Sequence, residues 1–443
     1  MVTSGVNGRG LHVAAIRFLP RHLPQFIRAV ILIITMPELL PPNQIESFHD
    51  QGFLVLPGLF ADEDLRRLDK AILRHAKQQT AAGGKRYPAR GCQFTIIGSV
   101  MADPDLAFLA EHEAVVGAAR QLLEAPPVLS AFVGYLKTPG AAGTSGDYER
   151  SSATAHCDYK TYQQAGSSLH WLFCIVPLVD LDEPTGQLFV SPGSHRLSRI
   201  EDGPHGIRRV IRASAAEIAP VEDTKLRRGD LLLMHGFTWH EGGPNRSDHD
   251  RYGIYNKYRA AHAPPAAGPN LFSNQSYEAL SEAGRSLLPH HSDKTIGSCR
   301  LILEHEGRFL LYQAEGAKAW SLPGGAIGRE DRKRGVVDQG NVVASLEDAA
   351  AQRIGLDLPW ATYIGDYDEG AGLCRVYAHP VDEAPAAPAA AGTQTEWFTA
   401  QRLRQMSDDL AGGFEAAALD HWLDKRPIRG IGQSKRRAAP GRK

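Results

Sequence analysis

In the run Ala155-His156-Cys157-Asp158-Tyr159 a histidine and an aspartate stand two residues apart. On an extended strand both leave the same face and converge on one point. A second histidine, His240, lies far downstream in Thr-Trp-His-Glu-Gly-Gly-Pro-Asn-Arg-Ser, and Arg251 follows it in Asp-Arg-Tyr-Gly-Ile-Tyr-Asn-Lys-Tyr. Two imidazoles and one carboxylate on one face of a metal, with the other face open, suit a non-haem Fe(II) centre that activates oxygen. Ligation of one ion by His156, Asp158 and His240 explains all three residues at once. Most of the 18 histidines must be surface or hydrogen-bonded core groups, and His49, His75, His112, His195 and His235 are read so.

The elements that must position these residues come in two phases. Helices lead: Asn43 to Gln51 with Gly52 as the stop, then Glu63 to about Gln79 capped by Asp62, then Asp105 to Leu123. A short strand, Phe53 to Leu56, lies between the first two. After Pro126 the chain turns to short β-forming runs: Val128 to Lys137, Leu169 to Val179, Gln187 to Ser191, Asp230 to His235 and Tyr252 to Tyr258. Short strands with irregular loops predict a jelly roll, two sheets with a mouth at one end for a site.

From roughly Ile45 to Leu288 the sequence resembles the phytanoyl-CoA dioxygenase family of Fe(II)/2-oxoglutarate oxygenases. The resemblance is carried by Phe48-His-Asp-Gln-Gly-Phe-Leu-Val-Leu-Pro-Gly-Leu-Phe60, by His156-Cys157-Asp158 and by the Pro184–His195 block ending Pro-Gly-Ser-His. It continues through Gly229-Asp230, His240, Pro244-Asn245 and Arg251. It implies an α+β chain with a double-stranded β-helix (jelly roll, cupin-like) catalytic domain. It also implies Fe(II), 2-oxoglutarate and O₂, with ascorbate as a supporting reductant. Arg251, after a turn, would hold the distal carboxylate of 2-oxoglutarate with its planar fork. Lys137, by family position, is a second cosubstrate contact; a solvated lysine before a turn is the alternative. Trp171 would wall the cosubstrate pocket, or be a core tryptophan. The implied reaction splits 2-oxoglutarate into succinate and CO₂ and hydroxylates a small molecule. Asp158 argues for hydroxylation over halogenation, since halogenating relatives lack that carboxylate.

Beyond His290–Lys294 the pattern restarts. A hairpin around Glu306-Gly307, the run Ala319 to Ile327, a helix near Val343 to Ile354, strands Ala361 to Asp366, Leu373 to His379 and Thr395 to Thr399, and a helix Phe414 to Asp424 form a smaller α/β unit. From Thr295 to Arg426 this resembles a Nudix domain. A working Nudix box supplies several glutamates from one helix to divalent cations. Read back from Gly355-Leu356, the positions expected to be Arg-Glu and Glu-Glu are Asp348-Ala349 and Gln352-Arg353. Hydrolysis of a nucleoside diphosphate derivative is therefore not expected. The retained fold would recognise a substrate, contact a partner or second protomer, or stabilise the first domain.

Length and composition set the remaining bounds. The chain has 443 residues, with 49 Lys plus Arg against 50 Asp plus Glu, so nucleic acid is not the expected partner. Its five cysteines form no C-x-x-C pair, which argues against a zinc cluster or disulfide framework and for the cytoplasm. The apolar run Ala29 to Ile34 is too short to cross a bilayer, which needs roughly 20 residues. The expected division is 1–39 as an extension, disordered or preceding a true start at Met36, then 40–294 as the jelly roll, 295–426 as the Nudix-like domain and 427–443 as a basic tail. The leading reading is a Fe(II)/2-oxoglutarate-dependent hydroxylase of a small molecule. Its competitors are a Nudix-type pyrophosphohydrolase or bifunctional enzyme, and a non-catalytic binding protein. Substrate identity is not legible; Gln93, Lys160 to Ser168 and Gly143 to Ser152 are candidates to line its entrance.

Overall fold

Pro42 opens the first helix among the described residues, α1 (Pro42–Gln51), at a position where a missing N–H costs nothing, and Gly52 closes it with a left-handed φ of 79°. The structure is a computed structural model that describes residues 39–96, 99–143, 155–157, 171–202, 208–211, 213–214, 216–263, 268–327, 339–358, 361–385, 392–406 and 409–425. Strand β1 (Phe53–Leu56) follows, then α2 (Asp62–Ala76). Ala61 occupies the N-cap of α2 without a side-chain bond, so Asp62 is not the expected cap. It joins Glu63 and Asp64 in the first turn, where carboxylates meet the positive end of the helix dipole. After β2 (Gln93–Ile96) the expected Asp105–Leu123 helix proves to be two, α3 (Pro104–Ala110) and α4 (Glu113–Leu123). His112 makes the break by accepting the Ala114 N–H on its Nδ1 at 3.3 Å.

Nine strands then follow among the described residues: β3 (Pro127–Lys137), β4 (Trp171–Pro177), β5 (Leu188–Val190), β6 (Arg199–Asp202), β7 (Arg208–Ile211), β8 (Glu222–Asp223), β9 (Leu231–His235), β10 (His240–Gly242) and β11 (Arg251–Ala260). They build a six-stranded antiparallel sheet, β1-β9-β4-β11-β3-β2, a three-stranded sheet, β10-β5-β8, and the hairpin β6-β7. Side-chain alternation divides β4 cleanly. Leu172, Cys174 and Val176 join the cluster built with the leading helices, whereas Phe173 and Ile175 meet Leu188 and Val190 of the small sheet. Two antiparallel sheets thus enclose an interior, the arrangement of a jelly-roll core.

A short helix, α5 (Asn274–Glu278), leads into a second sheet made from β12 (Ile296–His305), β13 (Arg308–Gln313), β14 (Gly324–Ala326), β15 (Thr362–Asp368), β16 (Leu373–Pro380) and β17 (Gln394–Thr399). Its order is β15-β16-β12-β13-β17, with β14 on β12, and β12 and β16 run parallel. Helix α6 (Gln339–Ile354) covers one face through Val342, Leu346, Ala350 and Ile354. Helices α7 (Ala400–Gln405) and α8 (Glu415–Lys425) cover the other through Leu403, Ala418, Leu419 and Trp422.

Residues 269–272 join the two units by pointing alternately into each. The Pro269 carbonyl accepts from buried Arg375, Asn270 donates to the Ser130 carbonyl, Leu271 packs on the second unit's core and Phe272 on the first's. Arg375 also forks onto Asp366, at 2.7 and 2.8 Å. No helix of the described residues is long and apolar enough to cross a membrane. Of the expected extension 1–39 all but Leu39, and the whole of the expected basic tail 427–443, lie outside the described residues.

Candidate active site

His156 and His240 face each other across an isolated antiparallel bridge. The His156 N–H donates to the His240 carbonyl at 3.0 Å, and the His240 N–H to the His156 carbonyl at 2.8 Å. Their ring centroids lie 4.5 Å apart. Alternation explains why the rings share a side. Ala155 and Cys157 on one segment, and Trp239 on the other, are buried together with Phe237 and Ile218, which sends both imidazoles the opposite way. His240 is further fixed by Thr238. A carbonyl can only accept, so the Nδ1 bonded at 3.0 Å to the Thr238 oxygen carries the proton, and Nε2 keeps the lone pair a metal needs.

The Pro-Gly-Ser-His block holds the backbone beneath His240. The Ser191 N–H donates to the Trp239 carbonyl at 2.8 Å, and the Trp239 N–H donates to Ser194 Oγ at 2.9 Å. The Ser194 hydroxyl in turn donates to the Ser191 carbonyl at 2.7 Å. His195 serves this turn, with Nε2 on the His49 carbonyl. His75 and His112 are likewise held locally, by Asp103 and by the α4 N-terminus. Asp158 lies outside the described residues, and among those described no three His, Cys, Asp or Glu side chains converge as a metal cluster.

Arg251 and Lys137 are directly opposed in the β3–β11 register. Their side chains are 6% and 5% exposed, and among the described residues neither has an acidic partner. Lys137 Nζ donates to the Gly243 carbonyl at 3.3 Å, while Arg251 Nε is buried without a hydrogen-bond partner among the described residues. Burial, and then the neighbouring Arg251 charge, push the Lys137 ammonium down to about 7. Asn245, fully buried, ties the pair's surroundings together by donating to the carbonyls of Lys137 and His249. The Gly243 carbonyl that receives Lys137 approaches Gly186 so closely that a Cβ there would lie 2.7 Å from it.

Trp171 does not join this pair. It opposes Arg259, eight residues along β11 from Arg251 and roughly 26 Å of strand away. Trp171, expected to wall the cosubstrate pocket or to be a core tryptophan, thus lies at the other end of the ladder from Arg251. Gln93 opposes Lys137 on β2 and is exposed; Lys160 to Ser168 and residues 144–152 lie outside the described residues. Sequence reading missed Ser194 and Thr238, which act through a hydroxyl and a main-chain carbonyl. It also missed Phe173, whose ring centroid lies 6.3 Å from that of His240.

The donor set suits its implied occupants. An imidazole pair with a free Nε2 suits a divalent transition metal. Two buried cations with no carboxylate partner among the described residues suit an anion, because uncompensated buried charge is costly.

The similarities to known proteins fall on the first unit. Ectoine dioxygenase from Bordetella parapertussis is 25% identical over 278 residues, covering 54% of this chain and 85% of that protein. Among solved structures, the α-ketoglutarate-dependent epimerase SnoN from nogalamycin biosynthesis is 20% identical over 49% of this chain and 82% of its own, with a TM-score of 0.40. EctD from S. alaskensis with 2-oxoglutarate and 5-hydroxyectoine is 18% identical over 52% and 79%, with a TM-score of 0.40. Residues 48–253 match the family model described as Phytanoyl-CoA dioxygenase (PhyH).

Proposed function

We propose that the chain is a Fe(II)- and 2-oxoglutarate-dependent dioxygenase that hydroxylates a small molecule with release of succinate and CO₂. The observation that carries this reading is the buried Arg251–Lys137 pair, which has no acidic partner among the described residues, with Lys137 held by the carbonyl of Gly243, three residues after His240. His156 and His240 would hold the ion through imidazole nitrogens, with Asp158 as the third ligand. Bound ferrous iron supplies the activation of O₂. Arg251 forks onto the distal carboxylate of 2-oxoglutarate, and Lys137 adds a second charge. From His240 to Gly243, whose carbonyl holds Lys137, is roughly 10 Å of extended chain, a gap that a short diacid reaching from metal to cation can bridge. The PhyH match and the ectoine dioxygenases support the reaction class. Addition of Fe(II) and 2-oxoglutarate in air should give slow uncoupled succinate. No succinate, together with no metal-dependent binding of 2-oxoglutarate, would contradict it.

We further infer that residues 295–426 are a Nudix-like domain without hydrolytic function. Asp348-Ala349 and Gln352-Arg353 stand where a metal-binding helix needs glutamates, and the Arg353 guanidinium lies over the Tyr312 ring at 5.0 Å. Its role is to support the first domain or to meet a partner or second protomer. Magnesium-dependent phosphate release from a nucleotide-sugar panel is expected to be nil. Five free, buried cysteines agree with a cytoplasmic setting.

A further inference from the structure

Strand β3 carries one residue more than its partner β11. Lys257 opposes Ala131 and Tyr258 opposes Leu129, so Ser130 is left between them in a bulge, and its carbonyl accepts from Asn270 Nδ2 at 2.7 Å. This is the end of the sheet at which β11 leads toward the junction with the second unit. There Ser130, Trp171 and Arg259 line a cavity of about 10 Å³ together with Gly268, Pro269 and His290. A void of that size takes a single body about as large as a water molecule.

The groups around it are donors. Trp171 Nε1 and Ser130 Oγ are buried without a hydrogen-bond partner among the described residues. An indole N–H and a guanidinium can only donate, and a hydroxyl can donate. Arg259 is 4% exposed, and no carboxylate meets it among the described residues. Its Nη1 donates to the carbonyls of Ala260 and Ala263 at 3.2 and 2.7 Å, and its Nη2 to His290 Nε2 at 3.2 Å. Each of these partners is neutral. Burial therefore holds the guanidinium below the usual arginine range, and its charge is not compensated. A water molecule in the cavity would accept from the indole and leave that charge as it stands. A monatomic anion of similar size accepts from indole and hydroxyl and offsets the charge as well.

We propose that this cavity is a chloride site, with Trp171 Nε1 and Ser130 Oγ donating to the ion and Arg259 supplying the opposite charge. The site does not depend on the chemistry at His156 and His240. Its part is structural. The cavity is walled by Gly268 and Pro269, and the Pro269 carbonyl accepts from Arg375 of the second unit at 2.7 Å. An ion held there braces the segment that joins the two units.

The test uses the full chain at constant ionic strength, with sodium gluconate exchanged stepwise for sodium chloride or sodium bromide. Gluconate is too large for the cavity. Chloride and bromide should each raise the denaturation midpoint saturably, as a ligand of the folded state does. Trp171→Phe and Ser130→Ala each remove one hydrogen bond to the ion, and each should raise the half-saturating chloride concentration at least about tenfold. Crystals of the unmodified chain grown in bromide should show one anomalous scatterer within hydrogen-bond distance of Trp171 Nε1. Water in the cavity under bromide, equal midpoints in chloride and gluconate, or a chloride response unaltered in both variants overturns the site.

Discussion

Arg251 and Lys137 sit directly opposite each other on β11 and β3, two buried cations with no acidic partner among the described residues. Such a pair is unfavourable in the free protein and becomes favourable when an anion enters. The β-register alone imposes the juxtaposition, and the predictions below begin from it.

Lys137 is depressed to about 7 in the free protein, whereas an unfolded lysine holds its proton to about 10.4. Between these values the unfolded chain binds more protons than the folded one, so stability without ligand should rise with pH across that window. An arriving carboxylate favours the charged ammonium. Binding of 2-oxoglutarate at pH 8 should therefore take up a proton, and affinity should fall as pH rises above about 7. Calorimetry in two buffers of different ionisation enthalpy measures the uptake, and Lys137→Met should abolish it.

Arg251→Met removes two charge-assisted hydrogen bonds, each worth about 1.5–3 kcal/mol. The KM for 2-oxoglutarate should rise by about a hundredfold or more with little change in iron loading. Arg251→Lys should recover part of the loss, since it restores charge without the fork. An unchanged KM in Arg251→Met would remove the guanidinium from the cosubstrate site.

Ser194→Ala leaves the buried Trp239 N–H without its acceptor one residue from His240. The loss should be about 1–3 kcal/mol in stability. Iron affinity should fall by roughly tenfold, in line with the effect of groups that orient metal ligands. Denaturant titration and iron competition with a chelator read the two effects separately.

Arg375→Met breaks a buried fork onto Asp366 and strands the Pro269 carbonyl at the junction of the two units. Removing one member of such a pair costs about 3–5 kcal/mol. The second unit should then melt earlier than the first in calorimetry. A single transition at the original temperature would show that residues 268–272 do not couple the units.

The strands that carry an uninterrupted apolar run were legible from sequence, and β3, β4, β9 and β11 fall within a few residues of expectation. Strands β5 and β10 are three residues long, and nothing in their periodicity separates β10 from a loop; its partnership with β5 is set by tertiary pairing. The helix break at His112 escaped notice because its cap is an imidazole, not the usual hydroxyl or carboxylate. In the site, His156, His240, Arg251 and Lys137 could be named because their chemistry is carried by side chains in motif context. Ser194 and Thr238 could not, since Ser194 acts on a backbone N–H and Thr238 acts through its own main-chain carbonyl, which any residue supplies. For Trp171 a pocket wall and a core position both stayed open, because a sequence gives a strand's residues without its register against Arg259.

The most direct measurement is an anaerobic titration of the apo chain with Fe(II) in saturating 2-oxoglutarate, followed by the visible charge-transfer absorption of the ternary complex. One ferrous ion per chain should develop the band, and His156→Ala, Asp158→Ala or His240→Ala should each suppress it while the chain stays folded. No band in the unmodified chain, or an undiminished band in all three variants, would contradict the assignment.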